Sequence, residues 1–180
     1  YYALDITNPQ YPKALWELTP TTDADFGLSY GNPIITKRPD GKWVVLLTSG
    51  YNNASPGSGE GVLYAVDPAS GAILAKTSNS TGSTATPSGL AKIAAYIENA
   101  NEDNTTTDVY GGDLLGNVWR FRLLADGSIT VAKIAELKNG SSQPQPITIK
   151  PILTTLDDAI STRYVIVATG KLLESNDTTD

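Results

Sequence analysis

Hydrophobic and polar residues alternate most regularly between residues 108 and 123. The pattern predicts a hairpin of two strands, 109–115 and 118–123, joined at Gly116-Asn117. This pair adopts the positive φ of a tight turn at little cost. The second strand divides its side chains between two faces, with Val118, Arg120 and Arg122 on one and Trp119, Phe121 and Leu123 on the other.

The hairpin is one copy of a pattern that recurs along the chain. Four kinds of strand follow one another in a fixed order: a proline-led strand, an apolar strand ending in small residues, an aromatic strand and a closing strand. The proline-led strands are 32–36, 86–93 and 150–154, the apolar ones 43–50, 109–116 and 164–170, the aromatic ones 1–5, 61–67 and 116–122, and the closing ones 13–17, 72–76 and 129–133. Four short antiparallel strands per roughly 50 residues are typical of a β-propeller blade.

The repeat of strands predicts an all-β fold, part of a β-propeller with four-stranded antiparallel blades. Residues 1–20 end one blade, residues 21–80 and 81–140 form two complete blades, and residues 141–180 form the first half of another. Because a propeller closes with at least about four blades, we expect the chain to be part of a larger propeller. A β-sandwich with coincidentally similar strands is the alternative.

Composition narrows the classes of function. The chain of 180 residues has a net charge of −6 and contains no histidine, cysteine or methionine. Zinc sites and nucleophiles built on these residues are excluded, as is a histidine general base, so catalysis is not favoured. The negative charge argues against a nucleic-acid partner, and no apolar run is long enough to predict a membrane span. Abundant Asn, Ser, Thr and Gly without Cys favour an exported bacterial surface protein.

Six segments of the chain, in order, resemble the C-terminal propeller of the PilY/PilC-type proteins. They are Tyr1-Tyr-Ala-Leu-Asp-Ile-Thr-Asn-Pro, Tyr30-Gly-Asn-Pro-Ile-Ile-Thr-Lys, Trp43-Val-Val-Leu-Leu-Thr-Ser-Gly-Tyr-Asn-Asn, Thr86-Pro-Ser-Gly-Leu-Ala-Lys-Ile, Tyr110-Gly-Gly-Asp-Leu-Leu-Gly-Asn-Val-Trp-Arg-Phe and Ala168-Thr-Gly-Lys. The resemblance covers nearly the full length of the chain.

This resemblance implies a modified seven-bladed propeller with quinoprotein-like blades. It also implies a non-enzymatic type IV pilus assembly factor or tip adhesin that supports pilus biogenesis, twitching motility and surface attachment. The implied partners are minor pilins, the pilus tip, and a host or abiotic surface. The implied location is the outer membrane, cell surface or pilus tip of a Gram-negative bacterium.

The resemblance further implies a Ca²⁺ loop at residues 98–108, just before the Tyr110-Gly-Gly-Asp segment. Calcium takes six to eight oxygen ligands from carboxylates, amides and carbonyls at alternating loop positions. The candidate metal ligands are Asn99, Asn101, Asp103, Thr105 through its carbonyl, and Asp108. Counting back from Asp108 gives a conflicting register, which falls on Ala100, Glu102, Asn104 and Thr106. If metal binds, it would order the loop against its blade and alter a docking face for minor pilins.

The alternative for this loop is an Asn- and Thr-rich hairpin connection held by its own side-chain to backbone hydrogen bonds. The loop has no glycine for a sharp bend, and few of its candidate ligands are charged.

Two rival functions come from other motifs. Asp67-Pro-Ala-Ser-Gly71 resembles a turn of quinoprotein propellers, which raises a pyrroloquinoline-quinone dehydrogenase as an alternative; the competing interpretation is that Asp67 caps this turn. Asp113 is likewise expected to cap a turn rather than to act as a catalytic acid. A carbohydrate-binding propeller is the third possibility, although packing between blades is the expected role of the strand aromatics Trp43, Tyr64 and Trp119.

Overall fold

The computed structural model describes residues 1–97, 100–156 and 161–178. The regular structure of these residues consists of β-strands and a short 3-10 helix, Ser175–Thr178. The strands are β1 Tyr2–Asp5, β2 Lys13–Glu17, β3 Ile34–Lys37, β4 Trp43–Thr48, β5 Val62–Val66, β6 Ile73–Ser78, β7 Ile93–Ile97, β8 Thr106–Gly112, β9 Asn117–Leu123, β10 Ile129–Glu136, β11 Ile152–Thr155 and β12 Arg163–Ile166.

The strands form four antiparallel sheets that follow chain order. β1 and β2 form the first sheet, β3–β6 the second blade, β7–β10 the third blade, and β11 and β12 the fourth sheet. In both complete blades each strand pairs with its neighbour in sequence. The prediction of an all-β fold with four-stranded antiparallel blades is confirmed. The predicted boundaries at residues 20, 80 and 140 fall between sheets, and their role as blade limits stays a prediction.

The second blade is buried on both faces, which explains the unbroken apolar sequences of β4 and β5. Successive side chains of a strand point to opposite faces, so each strand contributes to two cores. Val44 and Leu46 belong to the cluster shared with the third blade, whereas Val45 and Leu47 belong to the cluster shared with the first sheet. Tyr64 of β5 is fully buried in that second cluster, stacked on Phe26 with ring centroids 4.4 Å apart.

β9 shows the predicted division of its faces. Trp119, Phe121 and Leu123 are buried in the cluster between the second and third blades. Arg120 and Arg122 lie on the opposite face of the strand, where Arg120 is half-buried and Arg122 is exposed. Full burial of a side chain such as Phe121 contributes about 1.5–3 kcal/mol, so this aromatic strand helps to hold the two blades together.

A tryptophan joins the first sheet to the second blade. The indole N–H of Trp16 donates to the carbonyl of Pro68 at 2.9 Å. The ring covers Gly71, where an added Cβ would lie 2.7 Å from the Trp16 Cγ. Gly71 also has a φ of 74°, in the left-handed region that other residues rarely adopt. The turn predicted at Asp67–Gly71 therefore requires glycine for two independent reasons.

The faces of the end sheets that point away from the complete blades are apolar. Tyr2 and Leu4 are exposed on the first sheet. On the fourth sheet, Ile152 and Ile166 pair across the two strands and are also exposed. Apolar faces of this kind are where a further sheet would pack.

The turn between β8 and β9 differs from the prediction. Leu114-Leu115 was expected to continue the first strand, but residues 113–116 form the turn and Asn117 already belongs to β9. Of the predicted turn pair Gly116-Asn117, Gly116 alone has positive φ, at 79°. The prediction was wrong because the Asp113 carboxylate closes a longer turn, and apolar residues within a turn look like strand residues in a sequence.

The proline-led strand predicted at 86–93 is also displaced. The first strand of the third blade is β7, which begins only at Ile93. Leu90 instead forms an isolated antiparallel bridge with Gly50 of the second blade, with reciprocal backbone hydrogen bonds of 2.7 and 3.0 Å. The segment before β7 is therefore apolar because it packs between two blades.

The predicted packing role of the strand aromatics is confirmed for two of the three. Trp119 and Tyr64 are buried, but Trp43 is 48% exposed at the beginning of β4. The ammonium group of Lys37 lies 5.3 Å from the centroid of the Trp43 ring and covers one of its faces. The prediction of interblade packing was wrong for Trp43 because this residue is the first of β4, where its side chain is exposed.

Candidate functional site

The loop between β7 and β8, described from Ala100 onward, lies along the free edge of the second blade. β3 pairs with β4 on one side only, and its other edge receives the loop. The backbone N–H of Lys37 donates to the carbonyl of Asn104 at 2.9 Å. The Asn104 side-chain amide donates to the carbonyl of Ile35 at 3.0 Å. Lys37 and Thr105 thereby form a parallel bridge that links two blades.

Two buried threonines extend this contact. The Oγ1 atoms of Thr36 and Thr106 lie 2.7 Å apart, and both residues are fully buried. The Thr36 hydroxyl donates to the carbonyl of Asn104 at 2.6 Å. Because a hydroxyl has a single hydrogen to donate, the Thr106 hydroxyl is the donor in the bond between the two threonines.

Asp103 shapes the loop from within. Its Oδ1 accepts the backbone N–H of Thr105 at 2.6 Å, and its Oδ2 accepts the Thr105 hydroxyl at 2.9 Å. These two hydrogen bonds lower the pKa of the Asp103 carboxyl below its usual value. The carboxylate therefore fixes the bend that presents Asn104 to β3.

Asp108 lies on β8, opposite Arg122 of β9. The Arg122 guanidinium donates to both carboxylate oxygens, from Nε to Oδ1 at 2.9 Å and from Nη2 to Oδ2 at 3.0 Å. Arg120 Nε lies 3.8 Å from the same Oδ1. Paired and buried in this way, the Asp108 carboxylate belongs to an ion pair within the blade.

The candidate calcium ligands have different surroundings in the structure. Asn99 lies outside the described residues, and Asn101 is exposed. Both carboxylates, of Asp103 and Asp108, accept protein hydrogen bonds on each oxygen. Within residues 1–97, 100–156 and 161–178, no cluster of three acidic side chains could hold a metal. In this arrangement the described candidate ligands do not fit a calcium ion. Calcium binding by the whole loop stays a prediction.

Asp113 acts as the cap of the turn between β8 and β9. Its carboxylate accepts the backbone N–H groups of Leu115 and Asn117 at 2.9 and 2.8 Å. It also accepts the Asn117 side-chain amide at 2.9 Å and the Trp119 indole N–H at 2.8 Å. Burial raises the pKa of Asp113, while these hydrogen bonds oppose the rise. The predicted capping role is confirmed.

Asp67 has the same capping role in the second blade. Its Oδ1 accepts the backbone N–H groups of Ala69 and Ser70 at 3.0 and 2.8 Å, and the Ser70 hydroxyl at 2.8 Å. The capping interpretation of this turn is therefore also confirmed.

A second carboxylate cluster joins the segment before β3 to β6. The Lys76 ammonium donates to Asp23 at 2.8 and 2.9 Å and to Asp25 at 2.9 Å. Asp23 also accepts the buried Tyr64 hydroxyl at 3.0 Å, and Asp25 accepts the backbone N–H and hydroxyl of Ser58, both at 2.7 Å. Burial alone would raise the pKa of both carboxyls, but the hydrogen bonds together outweigh it and lower the pKa.

Sequence reasoning missed Asn104, Thr36 and Lys76. Each acts through partners far away in sequence: 68 to 70 positions for the contacts of Thr36 and Asn104, and 51 to 53 for those of Lys76. No local pattern marks such residues. For Asn104 the available signal was the second register of the loop, which, counted back from Asp108, placed Asn104 among the alternating candidate ligand positions.

Comparison with known proteins identifies the family. A family model described as the PilY1 beta-propeller domain matches residues 1–180. The chain belongs to the PilY1 β-propeller family. The resemblance seen in the sequence is therefore confirmed.

Two relatives of the chain come from Pseudomonas aeruginosa and Xylella fastidiosa. The chain is 36% identical over 124 residues to the type IV pilus biogenesis factor PilY1 of Pseudomonas aeruginosa, a match covering 69% of this chain and 10% of that protein. It is 30% identical over 179 residues to a PilY1 homolog of Xylella fastidiosa, covering 98% of this chain and 14% of that protein. The chain thus spans a small part of the length of these PilY1 proteins.

A solved structure agrees with the fold. The crystal structure of the Pseudomonas aeruginosa PilY1 C-terminal domain superposes with a TM-score of 0.82 at 28% identity, covering 98% of this chain and 39% of that chain. This match confirms that the sheets are arranged as in the PilY1 propeller. Among the described residues of this PilY1 family member, no helix is both long and apolar enough to cross a membrane.

Proposed function

We propose that the chain is a propeller segment of a type IV pilus biogenesis factor that acts by binding other proteins rather than by catalysis. The observation that carries this proposal is the match of the PilY1 propeller family over residues 1–180. Two of its relatives are named as a type IV pilus biogenesis factor, PilY1, and as a homolog of that protein. The proposed partners are minor pilins and the pilus tip, and the proposed location is the surface of a Gram-negative cell.

The arrangement of carboxylates supports a non-catalytic role. A general acid or nucleophile needs a carboxylate that a substrate can reach. The carboxylates of Asp113 and Asp108 are instead buried and bonded to protein donors, and Oδ1 of Asp67 accepts the hydrogen bonds of its own turn. Asp67, whose turn prompted the comparison with quinoprotein dehydrogenases, and Asp113 are thus accounted for by turns, and Asp108 by an ion pair.

The rigid blades supply what a binding scaffold needs. Both complete blades pack through continuous apolar cores, and their connecting segments are pinned by hydrogen bonds between blades. Loops held on such a frame bind partners without a large ordering cost. Attachment to a host or abiotic surface and support of twitching motility are part of the proposal.

Deletion of the full-length gene in its own bacterium tests this function. We expect loss of surface pili in sheared cell fractions and loss of twitching zones, both restored by the wild-type gene. Immunoblotting of whole cells and of the pilus fraction checks expression and location. Unchanged piliation in the deletion strain would refute the proposal, and quinone-dependent dye reduction by the purified protein would favour the dehydrogenase alternative.

A further inference from the structure

The contact between the second and third blades has a polar end that the apolar core does not explain. An edge strand leaves backbone N–H and C=O groups unpaired on its free side. On β3 the groups in question are the N–H of Lys37 and the carbonyl of Ile35, which point to the same side of the strand. Asn104 satisfies both, the first with its carbonyl and the second with its side-chain amide.

Buried hydroxyls make this contact specific. Thr36 and Thr106 are fully buried and bonded to each other. A buried hydroxyl without a partner costs free energy. The Thr106 hydroxyl therefore requires Thr36 in place, and the Thr36 hydroxyl requires the loop, through Asn104 and Thr106. The pair can form only when the loop is seated on β3.

Both ends of the seated segment are fixed by residues of the third blade itself. At one end, Asp103 closes the bend through Thr105. At the other end, β8 begins at Thr106, and Asp108 two residues later is clamped by Arg122. The contacts that form the bend and the anchor of this segment lie within the third blade, so they do not require β3.

A neighbouring contact acts at the same end of β3. Arg38 is buried and binds Asp40 through two hydrogen bonds of 3.2 and 2.6 Å. It also donates to the carbonyl of Gly127, in the turn between β9 and β10, at 3.4 Å. A Cβ at Gly127 would lie 2.8 Å from the Arg38 Nη1, so the turn fits closely over the guanidinium.

We propose that residues 103–106 form a latch between blades that closes through polypeptide contacts alone, without a bound metal ion. Asn104 is its positioning residue, and the Thr36–Thr106 pair is its buried lock. In this chain the carboxylates of Asp103 and Asp108 shape and anchor the latch. The inference concerns the order of the loop and is independent of the proposed pilus function.

Hydrogen exchange measured by mass spectrometry on the full chain tests the latch directly. The readout is the exchange of the peptide containing Lys37, whose amide bonds to Asn104. In the parent protein we expect equal exchange in calcium chloride and in a calcium chelator. In Asn104→Ala we expect exchange about 5- to 10-fold faster in both buffers, as for the loss of a hydrogen bond that closes a local structure.

Asn101→Ala is the matched control, because Asn101 is exposed in the same loop and lies outside the 103–106 segment. We expect its exchange at Lys37 to equal that of the parent. Thr106→Val keeps the side-chain volume and removes the buried hydroxyl, so it decides the question if Asn104→Ala does not fold. We expect faster exchange at Lys37 in this variant also.

Two results would overturn the proposal. Slowing of the Lys37 peptide by calcium in the parent protein would show that a metal ion closes the loop. Unchanged exchange in the folded Asn104→Ala protein, or in Thr106→Val if that variant has to decide, would show that residues 103–106 do not hold β3.

Discussion

The indole N–H of Trp119 donates to Oδ2 of Asp113 at 2.8 Å, deep inside the third blade. Trp119 packs in the core between two blades, while Asp113 organises the turn before it. One hydrogen bond therefore couples the shape of a turn to the packing of neighbouring blades.

Replacing Asp113 by Ala should destabilise the chain by about 3 kcal/mol or more, because several buried N–H donors lose their acceptor at once. The free energy of unfolding from urea titration measures the change. Asp126→Ala is the control, since Asp126 caps the exposed turn at Ser128 with the same kind of bonds. A loss for Asp113→Ala no larger than for Asp126→Ala would contradict this assignment.

Gly71→Ala should destabilise the chain by about 1–3 kcal/mol, because the methyl group meets the Trp16 ring and the backbone has a left-handed φ. The urea midpoint should fall. Gly140→Ala is a matched control, since a Cβ there meets no atom within 4 Å. Equal midpoints for the two variants would show that Trp16 does not pack on this turn.

The ion pair of Asp108 and Arg122 should show coupling in a double-mutant cycle. Arg122→Met leaves the buried carboxylate without its bidentate donor, so it should destabilise the chain. Adding Asp108→Asn to that variant should restore part of the lost stability, because the uncompensated charge is removed. Additive effects in urea unfolding would contradict a direct interaction.

The acid limb of the stability curve should depend on Lys76. The pKa of Asp23 and of Asp25 is lowered in the folded chain. Their contribution is therefore present above the unfolded carboxyl pKa of about 3.9 and is lost as pH falls through the lower folded values. In Lys76→Met, unfolding free energies between about pH 2 and pH 5 should vary less with pH than in the parent.

Lys42→Met provides the comparison for this experiment. Lys42 is largely exposed and lies 3.9 Å from Asp40. Such a pair contributes little, so the pH dependence should match that of the parent. A steep acid limb retained in Lys76→Met would show that other groups control acid unfolding.

The strand pattern was predictable because period-2 alternation and repeated aromatic positions reflect burial directly. β2 agrees with its predicted range, and the faces of β9 are as expected. The turn at 113–116 was misplaced because hydrophobicity does not reveal that a carboxylate closes it. Leu114 and Leu115 lie instead beside a surface cavity of about 610 Å³.

The candidate site was less predictable than the fold. A loop rich in Asn, Asp and Thr satisfies equally well the donor chemistry of a metal site and that of side-chain to backbone capping. Only the position of β3 distinguishes Asn104 from Asn101. That position depends on how two blades pack, which the order of residues in one loop does not encode.

The Asp113 turn and the latch also differ in when they can form during folding. Asp113 contacts residues four and six positions away, whereas the latch joins residues 69 and 70 positions apart. Loop-closure entropy grows with the length of chain enclosed, so the short contacts form first. Each blade can therefore complete its own hairpins before it meets its neighbour, and the seating of Asn104 on β3 marks a late step, when two finished blades come together.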